Sequence, residues 1–247
     1  MRPEMRPQVR AEGLAAAAGS RLLEVYAGLA QRREHLFARL LDGHAPRQWQ
    51  HYPDADAIDN ATGFQWFYHS HSPEDRPGTA EHGHIHLFAR RRLWSRRLAS
   101  MREREFAGLA GGAATAANTR HLLAIGFDAK GVPASVFTVN SWVTGDAMLS
   151  AATTLALLQK LTLDTGHEEV DAVIEGVVAL CNDEIARLLE KRDRCLFGRR
   201  SPGVLRDPSL EVLSEFPIDI DAKLAARPRG GRQTSGRFRS AGPTRAR

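Results

Sequence analysis

Phe64-Gln-Trp-Phe-Tyr-His-Ser-His71 and Glu81-His-Gly-His-Ile-His-Leu-Phe-Ala89 are two short runs of aromatic and branched residues, joined by residues 72–80, a stretch rich in Ser, Pro and Gly. The pattern predicts two strands and a longer connecting loop. Side chains alternate between faces along a strand. Gln65, Phe67, His69 and His71 therefore share one face of the first strand, and Phe64, Trp66 and Tyr68 take the other. On the second strand His82, His84, His86 and Phe88 share a face, with Gly83, Ile85 and Leu87 opposite. If the two strands pair antiparallel, both histidine rows can point the same way, with facing Cβ atoms about 4.5–5.5 Å apart.

Two more strand-like runs follow, at residues 121–128 and 134–140, linked by Ala129-Lys-Gly-Val-Pro133, a good hairpin connection. At least four antiparallel strands result. Before them, Leu14, Leu22, Leu23, Tyr26, Leu29, Leu36, Leu40 and Leu41 recur at helical spacing over residues 11–42, with Gly43 as a stop. This segment is one long helix, or two broken near Gly19-Ser20. Residues 44–60, with Pro46, Pro53 and several Asp, read as a loop. Residues 90–118 read as a basic surface insertion with a short helix over 93–106. Ser141 to Asp146 reads as a turn. Apolar periodicity then predicts helices over 147–164 and 168–194, a short helix over 208–216 and an extended end over 217–221. The fold class is α+β: an antiparallel sheet of at least four strands packed with an N-terminal helical segment and two C-terminal helices. One domain covers residues 11–223, between a flexible start (1–10) and a disordered arginine-rich tail (224–247).

The chain has 247 residues and a formal net charge of +5, but residues 224–247 hold seven arginines and no acid. Without those seven cations the net charge of the remainder is −2, so the folded part is mildly acidic. Mixed with Gly, Pro, Ser and Thr, and carrying only Phe238 as an aromatic, the tail has too little apolar surface to offset its ordering entropy. No apolar run approaches the ~20 residues of a membrane-spanning helix, and the start lacks an apolar signal core, so a cytoplasmic protein with no membrane partner is expected. Cys181 and Cys195 do not have metal-motif spacing. On a single helix they would stand about 21 Å apart, too far for a disulfide.

Five of the ten histidines fall between His69 and His86. Imidazole is the commonest metal-ligating side chain, and two His-x-His pairs on neighbouring strands can converge on one ion. His69, His71, His82, His84 and His86 form the ligand pool. Mixed nitrogen and oxygen donors suit a divalent transition metal, zinc or iron first, over calcium or magnesium. Glu81 and Asp54 are the candidate catalytic carboxylates, as base or further ligand. Tyr68, Asn140, Trp142 and Thr144 are candidate ligand-binding residues for a small-molecule substrate. His121 can add a ligand or simply cap its strand. The expected function is a metal-dependent hydrolase or oxidoreductase. The competing reading is a binding module that contacts nucleic acid or an acidic partner through the arginines from Arg90 to Arg104 and through the tail.

Three runs, Tyr68-His-x-His71, Glu81-His-Gly-His-x-His86 and Phe137-Thr-x-Asn-x-Trp-Val-Thr-Gly145, resemble an uncharacterised bacterial family known only as a domain of unknown function. The similarity covers about residues 20–190 and implies that the three runs belong to one unit. It implies no activity.

Overall fold

The computed structural model describes residues 7–70, 81–109, 118–199, 201 and 203–226. It is an α+β fold built on one seven-stranded sheet. The strands are β1 (Tyr52–Ile58), β2 (Phe64–Ser70), β3 (Gly83–Arg90), β4 (Thr119–Phe127), β5 (Pro133–Val139), β6 (Ala147–Met148) and β7 (Val212–Pro217). Their order is β1-β2-β3-β4-β5-β7, antiparallel throughout; β6 alone runs parallel, beside the start of β4. The helices are α1 (Pro7–Arg32), α2 (Arg91–Trp94), α3 (Met101–Leu109), α4 (Ser141–Thr144), α5 (Ala151–Leu158), α6 (Glu168–Leu180), α7 (Asn182–Arg199) and α8 (Ile220–Ala225).

One face of the sheet carries the main core. Trp66, Tyr68, Ile85, Leu87, Leu123, Ile125, Phe127 and Val136 pack there against Leu22 and Leu29 of α1, Val173, Ile174 and Val177 of α6, and Ile185, Leu188 and Leu189 of α7. Trp66 is fully buried and its Nε1–H donates to Asp171 Oδ1 at 2.8 Å. The Asp171 carboxylate also accepts from Thr165 N and Thr165 Oγ1. A polar atom inside this core is thus tied to the start of α6. The opposite face is smaller and bears a second cluster of Ala124, Phe137 and Val139 with Val143 and Val212.

Several boundaries differ from the periodicity reading. Helix α1 runs unbroken through Gly19-Ser20 but ends at Arg32, where Arg33 takes a positive φ of 56°; residues 36–43 then form turns rather than helix. Residues 44–60 are not all loop, because β1 pairs with β2. The expected helix over 208–216 is instead β7, which pairs with β5. The expected helix over 147–164 shrinks to α5, preceded by β6 and capped by Ser150, whose side chain accepts from Thr153 N. The expected helix over 168–194 is two, separated at Cys181. Both cysteines are free. Within the basic segment, Trp94, Glu103 and Phe106 are buried while Arg91, Arg92, Arg96, Arg102 and Arg104 are exposed. The expected loose start contributes Pro7–Arg10 to α1, and the expected tail contributes Leu224 and Ala225 to α8. Residues 227–247 lie outside the described residues. Among the described residues no helix is long and apolar enough to cross a membrane.

Candidate metal centre

The smaller face of the sheet carries the histidines. The β2–β3 register sets His69 opposite His84 and Phe67 opposite His86. Across β3–β4, the residues facing His84 and His86 are Gly126 and Ala124, so little bulk competes with the rings. At Gly126 there is no room for a methyl group unless a neighbour shifts: an added Cβ would press on Ser135 Oγ and lie 2.6 Å from Glu81 Oε2. Gly83, the first residue of β3 and opposite Ser70, is similarly tight: an added Cβ would press on Tyr68 Oη and lie 2.8 Å from His69 O.

Three rings converge. His84 Nε2 lies 2.5 Å from His69 Nε2 and 2.9 Å from His86 Nε2. All three residues are buried, and one ring nitrogen of each lies within 4.8 Å of the other two. Ligand nitrogens around a tetrahedral zinc stand about 3.3 Å apart, given bonds of about 2.0–2.1 Å. The cluster therefore has the size of a first coordination sphere, drawn slightly inward. Histidine nitrogens suit zinc, iron and their neighbours and are poor ligands for calcium or magnesium.

Behind the three rings stand two further groups. His84 Nδ1 is 2.5 Å from Glu81 Oε1, and both side chains are buried. His86 Nδ1 is 3.0 Å from His121 Nε2. His121 reaches this face because of an irregularity. Ala124 faces the histidines, and strict alternation would place Leu122 there next. A register shift between Leu87 and Phe88 instead pairs Phe88 with His121, and Leu122 joins the main core. A one-residue shift in a strand moves its side chains to the other face. Burial, and secondarily the Arg192 charge, push the His121 pKa down to about 3, so this ring is neutral at ordinary pH.

Aromatic rings wall the cluster. Phe137 meets His84 edge-on at 5.0 Å, and Phe67 and Phe88 flank His86 at 5.2 and 6.2 Å. On the solvent side, exposed Trp49 and His51 lie edge-on to His69 at 6.3 and 6.2 Å. His51 stacks on Phe67 at 3.6 Å, and its Nδ1 is 3.2 Å from Asp56 Oδ1.

The remaining sequence-predicted residues go elsewhere. His71 lies outside the described residues. His82 precedes β3, is exposed, and contributes a backbone hydrogen bond from its N–H to Phe127 O; it is not part of the converging group. Asp54 is exposed and accepts from Gln50 Nε2. Tyr68 points into the main core, stacked on Phe37 with centroids 4.0 Å apart. Burial first, then the Glu81 and Tyr52 charges, push its hydroxyl up to about 12. Asn140 accepts from Ser141 N and donates to Val204 O. Trp142 Nε1–H donates to Leu210 O, and Thr144 Oγ1 accepts from Asp146 N. Asn140 and Trp142 bind the end of β5 and the α4 turn to the 204–211 segment, and Thr144 holds the turn that follows α4.

The fold and its histidine face define a sheet-borne three-histidine centre. Residues 16–218 match the family described as Domain of unknown function (DUF6969), and the chain belongs to that family. No curated protein and no solved structure matches the chain.

Proposed function

We propose that this chain is a mononuclear transition-metal protein in which His69, His84 and His86 bind one ion of the zinc or iron class through Nε2, and that the site serves to activate water or a small substrate. The observation that carries this reading is the convergence of three buried ring nitrogens on one point. Among the described residues three ligands converge; three protein ligands with a fourth position open is the arrangement of catalytic rather than structural zinc sites. When bound, such an ion acts as a Lewis acid and lowers the pKa of coordinated water to about 7.

The side chains divide the work. The three ligands hold the ion, and Phe67, Phe88 and Phe137 pack against His84 and His86. Exposed Trp49 and His51 mark the approach for a substrate. Glu81, expected from the sequence to be a base or ligand, has one carboxylate oxygen on the far side of His84.

The decisive test is elemental analysis of protein purified without a polyhistidine tag. Near-stoichiometric zinc or iron is expected in the wild type and in His82→Ala, and its loss in the double variant His84→Ala, His86→Ala. Wild-type protein that holds no metal and takes up no added zinc, iron or manganese would overturn the reading.

A further inference from the structure

Two of the three candidate ligands are backed by buried groups. His84 and His86 each have a second nitrogen aimed away from the cluster at a buried group, Glu81 and His121 respectively. A carboxylate only accepts hydrogen bonds. The His84 Nδ1–H therefore donates to Glu81 Oε1, and in the neutral ring Nε2 carries a bare lone pair. His69 Nε2 and His86 Nε2 both crowd that lone pair, at 2.5 and 2.9 Å, and it can accept from only one of them. A cation at the shared point satisfies all three. The His86 Nδ1–His121 Nε2 contact, at 3.0 Å, joins two rings that can each donate or accept; ligation through His86 Nε2 requires that His86 be the donor.

We infer that Glu81 and His121 are a paired outer shell: two positioning residues that lock His84 and His86 in the Nδ1–H tautomer, with Glu81 also placing a negative charge one ring away from the ion. This rests on the three-histidine reading and deepens it. Metal-bound histidines commonly donate their other N–H to a carboxylate or another acceptor, and removal of that acceptor typically weakens metal binding about 10–100-fold. The two arms differ in kind. A carboxylate stands behind His84 and an imidazole behind His86. Sequence spacing hides this relation, because His121 lies 35 residues from His86 and faces it only through the β3–β4 register shift.

The test is a competitive zinc titration of the full chain and four variants: Glu81→Ala, Glu81→Gln, His121→Leu and His121→Gln. Leu and Ala remove the acceptor. The Gln amide oxygen can still accept from Nδ1–H and fills similar space, so the Gln variants guard against simple misfolding. Expected is a 10–100-fold weaker zinc affinity in Glu81→Ala and His121→Leu, with substantial recovery in both Gln variants. Recovery should be less complete at position 81, where the charge is not restored. Cobalt substitution supplies a second readout. Its d–d band intensity, which reports the number of ligands, is expected to be unchanged in all four while band energies shift. Wild-type affinity in Glu81→Ala and His121→Leu would overturn the outer shell and leave the three-histidine site standing. A changed ligand number would show Glu81 or His121 to be a ligand itself, which also overturns it. Failure of the wild type to bind zinc or cobalt would overturn both.

Discussion

His84 is the residue on which the geometry turns, because it touches both neighbours of the cluster and the carboxylate behind it. Its identity and that of its partners were legible from alternation: His69, His84 and His86 fall on one face in the register that sets His69 opposite His84, and a one-residue slip would part them. What alternation could not show is that His82, one period earlier, lies outside β3 in solvent, nor that His121 is rotated toward the cluster. A run of like residues marks a face, whereas a strand end decides where that face stops. Asp59, just before β2, shows a carboxylate at work in the turn itself. It is buried and accepts from Ala61 N, Thr62 N, Thr62 Oγ1 and Asp164 N. Burial pushes its carboxyl up, but these hydrogen bonds outweigh that and hold it below the usual range. A depressed folded-state value contributes stability that is present above the unfolded pKa, near 4, and lost as pH falls through the folded one. Asp59→Ala should therefore cost about 1–3 kcal/mol at neutral pH by leaving donors unsatisfied. The gap from wild type should narrow as the solution is acidified below about pH 4. Chemical denaturation across pH measures both. A gap that stays constant into strong acid would show that the carboxylate charge is not what stabilises the turn.

At the scale of elements, the central strands were readable and the edge strands were not. β2, β3, β4 and β5 are dense in aromatic and branched residues, which fit a pleated, half-buried surface. β1 is Tyr52-Pro-Asp-Ala-Asp-Ala-Ile58, a composition that reads as loop. It is a strand because β2 offers it a free edge and because a proline is tolerated at an edge. β7 lies largely within the stretch 208–216, where the sequence predicts a short helix; pairing with β5 overrides that. Helix breaks at Arg33 and Cys181 follow from tertiary packing, against a continuous apolar period. The strand pairing also makes a prediction. Gly126 is the point where β4 passes beneath the Glu81 carboxylate. Gly126→Ala should cost about 1–3 kcal/mol through overpacking, seen as a lower melting temperature. It should also weaken zinc binding in the manner of Glu81→Ala, because the new methyl group displaces the carboxylate from His84. A stable Gly126→Ala protein with unaltered zinc affinity would show that Glu81 is not held where the strand register puts it.

At the scale of the whole molecule, the sheet divides labour between its faces. The helices cover one, and the buried histidines stand on the other. A bound ion would tie β2 to β3, strands whose pairing the rest of the sheet is built upon. An ion that binds only the folded protein stabilises it by RT ln(1 + [L]/Kd), about 2.7 kcal/mol at a hundredfold excess over Kd. For a domain of this size each kcal/mol moves the melting temperature by about 2–4 °C. Zinc at that excess should then raise the midpoint by about 5–10 °C, and a chelator should return it to the metal-free value. The rise should persist in high salt, because coordination inside a buried cluster is weakly screened. That separates it from the competing reading. The exposed arginines Arg91, Arg96, Arg102 and Arg104, if they were the working surface for nucleic acid, would give affinity that falls steeply with salt and a melting temperature indifferent to metal. Differential scanning calorimetry of the full chain, with zinc, with chelator and with an oligonucleotide at low and high salt, distinguishes the two. A midpoint unmoved by zinc but raised by the oligonucleotide only at low salt would move the function from the histidine face to the arginine segment.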